Sequence, residues 1–319
     1  MTTPTREFVL LEYSSGCGDE VNPRAVATIT LNDPDRRNAL GGDMFNALEN
    51  ALKDIQKNCA TNPFWNGTNA PGLGQEKQNQ SGIQISEPVD SFTRIVVLRA
   101  NGPAFCAGFD LRAVANDAIG AQPVLEDYLQ RLHNCVEIIS QLPAITVAAV
   151  SGAALAGGCA LVSACDFVIA TPDSKFGYPT HAIGLSPAIS GPTLSSRMGL
   201  GAARELLLGG ELISGARVFE LGFASHLAGA TPEHNNMPDQ VAAHNFDSAL
   251  AQETSELTKI LLAKGPRALF TTKCWLQQLD PHLHHTHRAS ALSASVSGVG
   301  GAESVDRVAA VWKNRSKTT

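Results

Sequence analysis

Apolar positions follow distinct rhythms along the chain. Residues 25–31, AVATITL, alternate and are rich in β-branched side chains, which predicts a strand. Asn32-Asp33-Pro34-Asp35 supplies a turn. From Leu40 to Ile55 the period lengthens: Met44, Leu48, Leu52 and Ile55 recur at spacings of three and four, the pattern of an amphipathic helix. Unbroken apolar runs at 95–100 (IVVLRA), Thr146–Val150 and Phe167–Ala170 predict buried strands. Over 123–141, Leu125, Leu129, Leu132 and Val136 share one helical face. Further helices are predicted over 201–208, 215–221, 248–263, 266–278 and 302–314. Strands separated by turns and helices predict an α/β fold, and no fixed-period repeat is visible.

Residues 57–92 break the pattern. The stretch is rich in Asn, Gly, Gln and Pro and predicts a surface insertion, with a lid over a site as its functional alternative. Elsewhere, 319 residues that are 44% hydrophobic and 17% charged provide a sizeable core, enough for one large domain or a domain with a helical appendage. The net charge of −6, with no clustered basic surface, argues against a general nucleic-acid binder. The cysteines number 7, and several sit in apolar runs, so they read as buried thiols in a reducing compartment. Cys159 and Cys165 form no CxxC pair, and no metal site is expected. The run from Ile145 to Ala164 is interrupted by Gly152, Gly157 and Gly158, which predicts strand, turn and helix rather than a membrane span. No cleavable leader is seen in MTTPTREFVLLEYSS, and the terminal Ser-Lys-Thr-Thr is not a peroxisomal address. A cytoplasmic location without membrane contact is expected.

Two glycine-bearing turns carry the candidate chemistry. AFCAGFDLRAV (104–114) lies shortly after one strand, and SGAALAGGCALVSACDF (151–167) directly after another. Each puts small residues where a strand turns into a helix, and glycine admits backbone close to a ligand. N–H groups at such a helix start have no helical acceptor and favour negative charge. One such turn alone is equally a packing device. Two of matching design are able to give two backbone donors to one oxygen, which is the logic of an oxyanion hole.

These blocks resemble the enoyl-CoA hydratase/isomerase (crotonase) superfamily. ATITLNDPDRRNAL (27–40) resembles its N-terminal strand and turn, and RIVVLRANGPAFCAGFDL (94–111) its first oxyanion segment. The stretch from Leu142 to Pro187 resembles its second, GARVFELGFASHL (215–227) the helix and turn that follow, and VDRVAAVWKNRSK (305–317) its closing helix. The resemblance implies a spiral of repeated ββα turns over 1–225 and a helical, oligomerising region over 226–319. It implies a homotrimer or homohexamer and an acyl-CoA substrate, with coenzyme A entering as part of the substrate and no permanently bound cofactor. It assigns the oxyanion donors to the N–H groups of Phe109 and Gly157. It places Cys106, Ala107, Asp110 and Leu111 along the coenzyme path, and Arg37, next to Ala39, at the coenzyme phosphates. Arg36 is a possible substitute. On the residues alone, Arg37 is equally a solvated turn arginine, and Asp110 a helix cap.

Departures from the family pattern are as informative. Where its hydratases carry two glutamates that hold a water, this chain has Ala160 and, in FGYPT, Thr180. Neither serves as a carboxylate acid or base, so two-glutamate hydration is not expected. The place of a dehalogenase-like aspartate is taken by Ala188. Replacement proton-transfer groups are sought in His181, beside Thr180, and in His133, with Tyr178 also nearby. The expected enzyme stabilises an enolate or tetrahedral oxyanion on an acyl-CoA. Decarboxylation, isomerisation, C–C bond cleavage or formation, and thioester hydrolysis all meet that description. The alternative is a catalytically silent binding protein of the same fold. The cluster His282-Leu283-His284-His285-Thr286-His287 reads as a solvated or subunit-contact face.

Overall fold

In the computed structural model, which describes residues 7–15, 22–60, 92–114, 121–229, 239–297 and 299–315, the alternating and continuous apolar runs assemble side by side. Strands β1 (Val9–Ser14), β2 (Val26–Leu31), β3 (Ile95–Ala100), β4 (Ile145–Val150), β6 (Phe167–Ala170) and β9 (His226–Leu227) form one sheet in that order. β5 (Ala153–Leu155), β7 (Lys175–Gly177) and β8 (Ile213–Ser214) form a second, smaller one. Within the larger sheet only β1 and β2 pair antiparallel. The chain steps from the large sheet to the small one at β4–β5 and again at β6–β7, and returns through β8 and α5 (Gly215–Glu220) to β9. This alternation is the expected ββα spiral.

Both faces of the large sheet are covered, which explains the uninterrupted apolar runs. Ala27, Ile29, Leu31, Val96, Leu98, Ala148 and Val150 point to one side. There they meet Met44, Leu48, Leu52 and Ile55 of α1 (Gly42–Ala60), and Leu125, Leu129, Leu132 and Val136 of α2 (Ala121–Gln141). The alternate residues Val26, Ile95, Val97, Val147 and Ala149 pack with Leu250, Leu257 and Leu261 of α6 (Asp239–Leu262). Neighbouring residues of a strand face opposite ways, so one run serves both cores.

Several sequence expectations need adjustment. The insertion read over 57–92 is shorter at both ends: α1 continues through Ala60, and Phe92 is buried, its carbonyl accepting from Asn22 Nδ2 at 3.0 Å. Residues 61–91, and with them the insertion or lid expectation, lie outside the described residues. The helix predicted over 201–208 is the second half of α4 (Gly191–Gly209), whose two halves meet at Gly199 with φ 73° and ψ 160°. Elements not predicted include β1, the short strands β5, β7, β8 and β9, and α8 (His285–Val296). The histidine cluster lies across the start of α8. His284 and His287 are exposed, and His284 caps the helix by accepting from Thr286 N.

The C-terminal region packs on the rest of the chain. Arg94, just before β3, reaches across to donate to the carbonyls of Leu262 (2.8 Å) and Lys264 (2.7 Å). From α7 (Pro266–Leu279), the buried Lys273 Nζ meets Asp166 Oδ2 at 2.7 Å and the Ala144 carbonyl at 2.8 Å. The sheet's last strand, β9, lies just beyond the 225/226 boundary expected from the sequence. The described cysteines, Cys59, Cys106, Cys135, Cys159, Cys165 and Cys274, are free and buried, and Cys17 lies outside the described residues. Among the described residues no helix is long and apolar enough to cross a membrane.

Candidate active site

Three backbone segments converge beside the two glycine-bearing turns. Leu40 pairs with Phe109: Leu40 N donates to the Gly108 carbonyl (2.8 Å), and Asp110 N donates to the Leu40 carbonyl (3.0 Å). Ala107 N donates to the Arg37 carbonyl at 3.0 Å. On the other side, Cys106 N donates to the Ala153 carbonyl (2.9 Å) and Leu155 N to the Cys106 carbonyl (2.8 Å). Asn38, fully buried, ties the arrangement down by donating to the carbonyls of Asn101 and Ala104. The segments read separately as first and second oxyanion turns are therefore one hydrogen-bonded unit.

Their closeness explains the small residues. At Gly108 φ is 89°, and an added Cβ would stand 3.1 Å from Ala156 Cβ and 3.3 Å from the Leu155 carbonyl. At Gly158 it would stand 2.6 Å from both Cβ and the carbonyl oxygen of Cys106. Ala156, which precedes α3 (Gly157–Ser163), holds φ 49° and ψ −113°, a strained conformation for a residue with a Cβ. This strained residue directly orients Gly157.

Phe109 and Gly157 both line one cavity of about 370 Å³. Among the described residues neither N–H donates a hydrogen bond: the pairing with Leu40 uses the N–H groups of Leu40 and Asp110, and Gly157 opens its helix. The Phe109 side chain is anchored in the core, its ring 5.6 Å from Tyr128 and 6.3 Å from Phe45. Arg131 lies over Phe45 and pairs with Glu49 at 2.7 Å, so α1 and α2 are fastened beneath the donor.

The wall of the cavity is largely apolar. Leu111, Leu129, Leu132, Leu155, Ile183, Leu185 and Ile189 contribute to it, with hydroxyls from Tyr178, Thr180, Ser186, Ser190 and Ser295. Ala160 and Thr180, which the sequence sets at the places of the family's two glutamates, both line the cavity. Among the described residues that line the cavity there is no Asp, Glu or His, and its one charged residue is Arg37. Arg37 is exposed and makes no ion pair among the described residues, whereas Arg36 approaches Asp33 at 3.8 Å.

The remaining candidates divide clearly. Ala107 and Leu111 line the cavity; Ala39, Cys106 and Asp110 do not. Cys106 is fully buried, and burial pushes its thiol up to about 12. Asp110 caps the short helix at 111–114 by accepting from Arg112 N, and the Arg112 guanidinium holds its carboxyl below the usual carboxylate range. His181 is exposed on the turn 179–183, although its neighbours Thr180 and Ala182 line the cavity. His133 is half-buried on α2, with Glu137 and Arg288 as its charged neighbours, and burial lowers its pKa below the usual 6.5. It follows Leu132 on the helix, which turns by about 100° per residue, and it is not among the residues that line the cavity. Sequence reasoning missed Ser295, because α8 was not predicted.

Comparison with known proteins supplies the class. The enoyl-CoA hydratase/isomerase family model matches residues 88–263. A putative enoyl-CoA hydratase of Thermus thermophilus is 31% identical over 253 residues, covering 77% of this chain and 84% of that protein. The enoyl-CoA isomerase/hydratase fer4 of Mycosarcoma maydis is 39% identical over 149 residues, covering 46% of this chain and 53% of that one. Among solved structures, an enoyl-CoA hydratase/isomerase from Xanthobacter autotrophicus superposes with a TM-score of 0.69 at 23% identity, covering 98% of this chain and 99% of the other. The chain belongs to the enoyl-CoA hydratase/isomerase family and has the crotonase fold.

Proposed function

We propose that the cavity binds an acyl-CoA thioester, with the thioester oxygen between the N–H groups of Phe109 and Gly157. The observation that carries this reading is the pair of uncommitted N–H groups at the wall of one apolar cavity, with a free arginine at the same cavity. Two such donors act on an oxyanion in a water-poor site, where they stabilise developing charge more than they do in water. Ala107, Leu111 and Arg37 lie along the coenzyme path, Arg37 meeting its phosphates.

The chemistry is enolate or tetrahedral-oxyanion stabilisation, without a pair of carboxylates working on a water. Decarboxylation, isomerisation, C–C bond cleavage or formation, and thioester hydrolysis remain in that class. The missing acid and base on the described wall supports a second reading, a protein that binds acyl-CoA without turning it over. His181 enters catalysis only if its turn rotates toward the cavity, and His133 only if α2 does. The exposed side chains of Leu200, Leu208, Leu212 and Phe219 offer apolar surface for subunit contacts of a homotrimer or homohexamer, which sedimentation would measure.

Calorimetric titration with acyl-CoAs of several chain lengths should show a saturable site, weakened in Arg36→Ala/Arg37→Ala. Crotonyl-CoA hydration, followed optically, should run about 10²-fold or more below an efficient hydratase. The reading fails if no CoA ester binds, or if crotonyl-CoA is hydrated efficiently. Turnover of any bound ester separates the enzyme from the silent binder.

A further inference from the structure

A second cavity, of about 620 Å³, opens on the other side of the large sheet. Val26, Val97, Ala149 and Leu250 line it and belong to the core that faces α6. The cavity beside Phe109 and Gly157 is lined instead by Leu129, Leu132 and Ala160 of the opposite core, and the two share no described lining residue. The second cavity is a groove between α6 and strands β2 and β3. It follows α6 from Asp247 to Lys259, about 18 Å of helix. That size is ordinary for a small-molecule site.

Several polar groups along the groove are already engaged. Ser151 Oγ donates to Asp247 Oδ1 at 2.7 Å, and Thr254 Oγ1 donates back to the Leu250 carbonyl at 2.6 Å. Arg99 Nε donates to Thr30 Oγ1 at 2.9 Å, and its guanidinium approaches Glu12 at 3.9 Å. Lys259 is different: among the described residues its ammonium makes no ion pair and no hydrogen bond. Ser255, one helical turn away, Thr258 beside it and Thr28 of β2 line the same groove, and their hydroxyls also lack a partner among the described residues. These hydroxyls stay open to the groove, unlike the unpaired but shut-in ones of Thr93 and Thr171. Glu256, the acid on that turn, accepts from Gln252 at 2.9 Å and does not line the groove.

A cation and hydroxyls without partners call for an acceptor, because an ammonium only donates and a hydroxyl is able to. The matching chemistry is an oxyanion, whose bonds to an ammonium are charge-assisted. The apolar floor of Val26, Val97, Ala149 and Leu250 adds a place for hydrocarbon. We infer that the groove binds a small amphipathic anion, a carboxylate or phosphate monoester on a short apolar body, with its oxygens at Lys259, Ser255 and Thr258. A cationic ligand would find, among the described lining residues, only the carboxylate of Asp247, which already accepts from Ser151. A neutral ligand would leave the Lys259 charge unanswered. The groove lies behind the sheet, so this site stands or falls independently of the acyl-CoA reading.

The test is calorimetric titration of the full chain with hexanoate, hexyl phosphate and the neutral hexanol. At least one of the anions should show a saturable site and bind about tenfold or more tightly than hexanol. The tighter of the two identifies the head group as carboxylate or phosphate. Lys259→Gln should weaken that anion about tenfold, and Lys259→Glu should abolish its binding. Lys259 is exposed and unpaired among the described residues, so both variants should keep the wild-type Tm. Lys264→Gln, at an exposed lysine outside the lining, should leave the affinity unchanged. Binding of neither anion, hexanol binding as tightly as the anions, or an affinity that survives Lys259→Glu overturns the inference. So does an equal loss in Lys264→Gln, which would mark a diffuse charge effect rather than a site.

Discussion

Replacing Gly108 by alanine tests whether the two turns must touch. The residue holds φ 89°, where an L side chain is strained, at a cost of about 1–2 kcal/mol. The new Cβ would also press on Ala156 Cβ at 3.1 Å and the Leu155 carbonyl at 3.3 Å. Those atoms are poorly placed to retreat, because Leu155 N and Cys106 N hold the two segments together at 2.8 and 2.9 Å. Adding a strained contact of about 1–2 kcal/mol gives a loss of roughly 2–4 kcal/mol. Scanning calorimetry should show a fall in Tm of several degrees. Acyl-CoA affinity should fall further than stability alone explains, because the same displacement moves the Phe109 and Gly157 N–H groups apart. Gly191→Ala is the control, since its Cβ meets nothing within 4 Å and φ is −53°. A Gly108→Ala protein as stable and as tight-binding as the wild type would refute the close-contact argument, as would equal damage from Gly191→Ala.

Ala156→Gly should leave the fold intact and raise stability by up to about 1 kcal/mol, since relief of the φ 49° strain outweighs the added freedom of the unfolded chain; chemical denaturation measures it. Lys273→Met should destabilise by about 2 kcal/mol in urea unfolding, because Asp166 would lose its buried cation while keeping its bonds from Thr146. His133 should make stability fall as the solution is acidified. Its folded pKa lies below the usual 6.5 because of burial, so the unfolded chain binds the proton more readily. Its contribution is complete above 6.5 and is lost as pH drops from there through the folded value, and His133→Gln should flatten that part of a urea-midpoint profile.

The parts of the fold written in a strong period were legible. β3 and β6 fall on the predicted residues, α2 gains two residues at its start, and α1 begins two residues late and runs on to Ala60, because their apolar spacing directly encodes the face that packs. α8 escaped detection for the opposite reason. HTHRASALSASV has small and polar residues all round, and its packing against 188–190 needs little apolar surface. The first half of α4 was hidden by Gly191, Pro192 and Gly199, residues that ordinarily mark turns. For the site, the two glycine turns that meet, and Ala160 and Thr180 that line the cavity beside them, could be singled out, since they depend on local spacing. Whether His133 or His181 faces the cavity depends on rotation about a helix and a turn, which spacing does not determine.

The roles proposed for Phe109 and Gly157 rest on main-chain N–H groups, which every residue except proline possesses. Substitutions at either position can crowd or shift the donor, but almost none can delete it. Ala160 and Thr180 stand at positions whose chemistry resides wholly in the side chain, where one codon change creates or abolishes a carboxylate. On the proposed reading the pocket separates a robust element from labile ones: oxyanion binding would follow from how the chain is routed, while acid–base function would be exchanged residue by residue without refolding the site.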